Sequence, residues 1–347
     1  MPALLLHMRE FEAPNIVEPL GDWENIASLL DGYLSSDPAM LLILAPPRSF
    51  TTVVSAMLGR HPQMYGLPET HLFSNETIVE WWDRAAEAQY PMTHGLLRAT
   101  AQIVFGEQTE ETVERAIGWL WRRSHYTSGL LLEELAHNVS PLVLIEKSPS
   151  TVYLPESMNR AYEMFPRAKF LHLTRHPLGY GESVVKALRV AEEHGGAPRW
   201  LQKLATRSSP FAGGELEYDF DPQKSWYFLN RNICEFLEFV PHEQKFRVHG
   251  ENILANPDIV LPQICSWLGL RQDQAAIEEM KHPERSPYAC FGPQNAPFGN
   301  DHFFLADPVL RPAREITQSL DGPLSWREDG QGFAPEVKAL ASDFGYA

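Results

Sequence analysis

Residues 41–54 read LLILAPPRSFTTVV. The apolar run 41–45 has the length of a buried strand, and Pro46 and Pro47 end it. From Thr51 the pattern changes. Val54, Met57 and Leu58 recur on one helical face until His61-Pro62 stops it. A strand, a tight turn and a helix start are therefore expected here. The N–H groups at such a helix start favour an anion. An ATP-binding loop would read GxxxxGK[ST], and its glycines and lysine are absent.

Three more short apolar runs read as buried strands, at 142–146, 169–174 and 246–249. Helical patterns fall at 51–60, 76–88, 110–123, 154–165, 178–190, 224–239 and 259–268, the last stopped by Gly269. Strands alternating with helices predict an α/β fold: a mainly parallel central sheet flanked by helices. Residues 1–38 are expected to be an N-terminal extension with an amphipathic helix at 23–33. Residues 39–282 form the core, with a flap-like insertion at 191–223. Residues 283–347 form a lid loop and tail packed on the core. The stretches 191–223 and 283–312 are rich in Gly, Pro and aromatic residues, as lids and binding loops are, although surface insertions look the same.

The chain has 347 residues, enough for a substantial core, with an ordinary 44% hydrophobic and 21% charged residues. Lys plus Arg number 29 against 45 Asp plus Glu, a formal charge of −16. Such a surface is a poor partner for nucleic acid. No run approaches the ~20 apolar residues that span a bilayer, and the start MPALLLHMREFE is no signal peptide, so a cytoplasmic protein without a membrane partner is expected. Cys234, Cys265 and Cys290 are too few and too scattered for a disulfide framework or a zinc site, and buried reduced thiols are expected.

In open parallel sheets, ligands sit beyond the carboxyl ends of the strands. After the first strand come Arg48, Ser49, Phe50, Thr51 and Thr52. Lys147 follows the second, and Arg175 the third, with Ser183 eight residues on. Singly, each could be a helix cap or a solvated charge. Jointly they gather three cations and several hydroxyls at one sheet edge. Magnesium would want an acid at a strand end. The third strand ends in Thr-Arg, and Glu146 is followed directly by Lys147. The pattern suits a nucleotide held by side-chain cations, with no metal.

These residues resemble the sulfotransferases that use 3′-phosphoadenosine 5′-phosphosulfate (PAPS), over roughly residues 39–270, and the resemblance implies the P-loop nucleotide-kinase-like fold of that family. APPRSFTT is similar to the family's 5′-phosphosulfate loop, with Phe50 standing where the family has glycine. FPRAKFLHLTRHPLGYGES resembles the 3′-phosphate motif and maps its Arg and Ser onto Arg175 and Ser183. IEKSPSTVYLP carries the family's lysine at Lys147. VHGENILANP resembles a strand-to-helix turn common in these enzymes. The resemblance is closest to the bacterial, tyrosylprotein and heparan branches, which use a glutamate base. It implies PAPS as co-substrate and a hydroxyl acceptor, on a small molecule or an acyl carrier. The late FGNDHFF stretch is similar to sulfotransferase domains of olefin-forming polyketide synthases, which points to secondary metabolism.

Where many cytosolic members carry a histidine base two residues after the lysine, this chain has Pro149. RHPQMYGLPETHLF resembles the segment that supplies a glutamate base in other branches, and Glu69 matches that position. His71 would orient it or replace it. The alternative is that Glu69 caps a following helix. His302 is the second choice of base, and His176 and His249 are further candidates. The late cation of the family finds no clean match; Arg285 or the stretch 298–301 (FGND) stands in for it. Trp226 and Tyr227 are candidates for the acceptor pocket or for the core. Trp200, Phe211, Tyr288, Phe291, Phe298, Phe303 and Phe304 suggest an apolar acceptor pocket. Two other functions fit the same residues: an ATP-dependent kinase with a degenerate phosphate loop, and a nucleotide-binding relative without catalysis.

Overall fold

The computed structural model describes residues 39–87, 92–193, 221–314, 316 and 319–346. The expected helix at 23–33, most of the insertion at 191–223, and Trp200 and Phe211 lie outside the described residues.

Five strands form one parallel sheet: β1 (Met40–Leu44), β2 (Met64–Gly66), β3 (Val143–Glu146), β4 (Lys169–Thr174) and β5 (Lys245–His249). Their order is β2-β3-β1-β4-β5, with β1 at the centre. Four of these strands are legible as apolar runs. β2 is not, because it has three residues at the sheet edge and only Met64 of them is buried.

β1 shows why these strands lack polar alternation. Leu41, Ile43 and Ala45 pack into one core cluster; Met40, Leu42 and Leu44 pack into another. Side chains alternate across a sheet, so a strand covered by helices on both faces must be apolar throughout. The registers Leu42↔Glu146, Leu44↔His172 and Thr174↔His249 bring the carboxyl ends of β3, β1, β4 and β5 to one edge.

The cluster of Met40, Leu42 and Leu44 also takes in two further helices, Thr93–Phe105 and Ser128–Val139. Their buried faces mix leucines (Leu96, Leu97, Leu131, Leu132, Leu135) with small residues such as Gly95, Ala99, Ala101, Gly129 and Ala136. Trp226 is fully buried in that cluster. Near the end of the chain, helix Pro335–Asp343 packs on helix Pro222–Glu238. The residues after it carry Tyr346 back to the sheet edge, where its hydroxyl lies 3.0 Å from Thr174 Oγ1.

The cysteines differ from expectation: Cys265 is buried, Cys234 is partly covered and Cys290 is exposed. Among the described residues, no helix is long and apolar enough to cross a membrane.

Candidate active site

The turn after β1 leads into helix Thr51–Leu58 with two non-glycine residues in left-handed conformation, Arg48 (φ 66°) and Phe50 (φ 63°). Each such residue costs about 1 kcal/mol, because Cβ crowds the following carbonyl. Ser49, between them, is fully buried, and its Oγ has no hydrogen-bond partner. Phe50 caps the helix without a side-chain bond, so the first-turn N–H groups face the sheet edge free of a cap. A buried hydroxyl with no protein partner beside open N–H groups is a set of donors that suits an anion.

Lys147 follows β3 and is almost wholly buried. Its Nζ donates to Thr52 Oγ1 at 3.1 Å and to Glu69 Oε1 at 2.7 Å. The Glu69 carboxylate therefore lies on Lys147 rather than capping a helix. The Glu69 backbone is held from two sides. Its N–H donates to the Gly299 carbonyl at 2.8 Å, and a Cβ on Gly95 would come within 1.8 Å of its carbonyl oxygen.

His71, in left-handed conformation (φ 55°), reaches Glu69 Oε2 with Nε2 at 3.7 Å and Ser150 Oγ with Nδ1 at 2.9 Å. Burial, with a smaller contribution from Lys147, pushes its pKa down to about 4 against the pull of Glu69. At neutral pH the ring is uncharged, so this contact is not an ion pair.

Glu146 lies beneath this segment. It accepts from Thr70 Oγ1 at 3.1 Å and from the Ser148 N–H at 2.9 Å, and it takes the Ser148 hydroxyl proton bond as well. Ser148 Oγ in turn accepts the His71 N–H at 2.8 Å. Burial raises the Glu146 pKa, and these donors oppose the shift. Glu146 thus acts as a buried bracket for residues 70–71. No sequence pattern signals this, since Thr70, Glu146 and Ser148 meet only in the fold.

Arg175 follows β4, and its chain is fixed by a hydrogen bond from Trp226 Nε1 to its carbonyl at 2.8 Å. One guanidinium nitrogen donates to the Arg48 carbonyl, while Nε has no partner. Burial lowers its pKa to about 10, countered first by Glu251. It remains charged. Its guanidinium carbon lies 4.2 Å from the centre of the Phe50 ring. Arg48 spans the groups: Nε donates to Ser183 Oγ at 3.2 Å and Nη1 to Asp301 at 2.6 Å.

The fold thus joins Arg48, Ser49, Phe50, Thr51, Thr52, Glu69, His71, Lys147, Arg175 and Ser183 at one edge. Of the two late stand-ins, 298–301 reaches the site through Gly299 and Asp301. Arg285 does not. It pairs with Glu279 at 2.9 Å beside Arg60, beyond the far end of helix Thr51–Leu58. His302 is more than half exposed, 4.0 Å from Asp301. His249 is stacked on Tyr346, and His176 meets the same ring edge-on. Trp226 belongs to the core and Tyr288 is buried with its hydroxyl on Tyr65, so neither lines an open pocket.

A model of the sulfotransferase family matches residues 39–274. The structure is similar to the sulfotransferase domain from the Synechococcus PCC 7002 olefin synthase (21% identity, 97% of this chain and 99% of that one, TM-score 0.63). It is equally similar to the sulfotransferase domain from the curacin biosynthetic pathway (21% identity, 89% and 98%, TM-score 0.62). No curated protein matches the chain.

Proposed function

The chain belongs to the sulfotransferase family, and on that premise we propose that it transfers a sulfuryl group from PAPS to a hydroxyl. One observation carries this. Three cations, Arg48, Lys147 and Arg175, converge on a sheet edge with two buried donors left unpartnered, Ser49 Oγ and Arg175 Nε. A bisphosphorylated nucleotide supplies anionic oxygens for all of them, which fits the residues present.

Ser49, Thr51, Thr52, Arg48 and the helix N-terminus hold the 5′-phosphosulfate. Arg175 and Ser183 hold the 3′-phosphate. Glu69 takes the acceptor's proton as its oxygen attacks sulfur. As the bond from sulfur to the bridging oxygen breaks, Lys147 and Arg48 meet the charge left on the 5′-phosphate. The products are a sulfate ester and adenosine 3′,5′-bisphosphate. Lys147 belongs to both halves of this step. Moving its ammonium from Glu69 toward the bridging oxygen would release the carboxylate to act as a base. His71, neutral at working pH, keeps the carboxylate oriented. The two neighbouring domains belong to biosynthetic systems by their names, which supports an acceptor presented on a small molecule or an acyl carrier. No step in this scheme calls for a metal.

Calorimetry with adenosine 3′,5′-bisphosphate and AMP tests the assignment. The bisphosphate is expected to bind more tightly, and Arg175→Ala or Ser183→Ala to remove most of the difference. Equal binding of the two nucleotides would overturn it.

A further inference from the structure

Phe50 occupies a backbone conformation that suits glycine, so its ring is present at the expense of the turn. The ring is seated with care. It is half-buried among the core residues of one sheet face. On one side lies Gly250, where an added Cβ would come within 2.5 Å of Phe50 Cδ2. On the other lies the guanidinium of Arg175, 4.2 Å from the ring centre. Helix Gly250–Ala255 thus begins with the one residue that leaves the ring its space.

A guanidinium donates only in its plane, so a cation–π contact holds the group without using a donor. One nitrogen of Arg175 is used on the Arg48 carbonyl, and Nε stays unpartnered. The side chain is partly buried. Without the ring, its plane would be free to rotate about the one remaining bond.

We propose that Phe50 is a positioning residue for the 3′-phosphate. Its ring, accommodated by Gly250, fixes the plane of the Arg175 guanidinium and keeps Nε–H aimed at the phosphate. The 5′-loop residue therefore sets discrimination at the 3′ end of the nucleotide. This rests on the assignment of Arg175 above.

The test is calorimetry of adenosine 3′,5′-bisphosphate and AMP on the full chain, read as the ratio of the two affinities. Phe50→Leu is expected to lower that ratio about five- to thirtyfold, the range of a desolvated cation–π contact. Phe50→Tyr should retain it within about twofold. In an Arg175→Ala background, Phe50→Leu should change nothing further. Gly250→Ala should reproduce the loss without altering Phe50 itself, and serves if Phe50→Leu fails to fold. The proposal is overturned if Phe50→Leu weakens both nucleotides alike, or if its effect persists without Arg175. If Arg175→Ala leaves the ratio unchanged, the 3′-phosphate assignment fails and the proposal with it. If Arg175→Ala collapses the ratio but Phe50→Leu and Gly250→Ala do not, the proposal alone fails.

Discussion

Lys147 Nζ lies 2.7 Å from Glu69 Oε1, and the lysine is almost wholly buried. The ammonium occupies a carboxylate oxygen that an acceptor's hydroxyl would otherwise have to reach. In the proposed reaction, base and leaving group are therefore coupled through a single ammonium group, and the carboxylate is freed when the donor draws the lysine away.

Glu69→Gln keeps an oxygen for Lys147 and removes the basicity. Turnover is expected to fall about 10²- to 10⁴-fold, with binding of adenosine 3′,5′-bisphosphate changed less than about twofold. Steady-state kinetics and calorimetry on the same preparation check this. Turnover within tenfold of wild type would move the base elsewhere, with His302 next in line.

Gly95 touches nothing chemical, yet a Cβ there would lie 1.8 Å from the Glu69 carbonyl oxygen. Gly95→Ala must displace either helix Thr93–Phe105 or the Glu69 backbone. A shift near 1 Å at the base is expected to cost about 10²-fold in turnover. A melting curve should show a loss of about 1–3 kcal/mol from overpacking. Unchanged kinetics would mean that the helix yields and Glu69 does not.

Asp301 places a negative charge on Arg48 at 2.6 Å, where an anion is proposed to bind. The pair is partly exposed and so worth little in stability. Asp301→Asn keeps an acceptor for the Phe303 N–H and removes the competing charge. Binding of adenosine 3′,5′-bisphosphate should tighten about two- to fivefold, and the gain should shrink with added salt. Weaker binding would instead make Asp301 a support of the loop.

His172 is fully buried between Asn230 Oδ1 on Nε2 and Arg247 Nε on Nδ1, each at 3.1 Å. The arginine N–H occupies the lone pair a proton would need. Burial and that neighbour push the pKa to about 3. Below pH 6.5 the unfolded chain takes a proton at His172 that the folded chain refuses. Stability should therefore fall on acidification from 6.5 toward 3, by about 1.4 kcal/mol per pH unit from this residue. His71 and His94, both held at about 4, act with the same sign over a narrower window, and the raised Glu146 acts against it. Denaturation midpoints against pH should show a slope one proton shallower in His172→Gln.

The turn at 41–54 and the cations after β1, β3 and β4 were legible because the chemistry there is local. A strand end, a turn and a helix start follow one another in the chain, and spacing alone puts Arg175 and Ser183 two turns apart. Glu69 was legible only through a resemblance. The late loop is legible as a stretch, but only the fold brings Gly299 and Asp301 to this edge and leaves Arg285 paired with Glu279.

Short-range patterns carry the parallel α/β sheet and the three cations on its carboxyl edge, because buried strands and helix starts are written locally. Which groups face one another there is settled by the fold. Glu69 meets Lys147 across 78 residues, Arg48 meets Asp301 across 253, and Phe50 meets Gly250 and Arg175. No local pattern encodes those meetings. They are set by strand order and close packing, which explains why a phenylalanine can stand in a glycine's place.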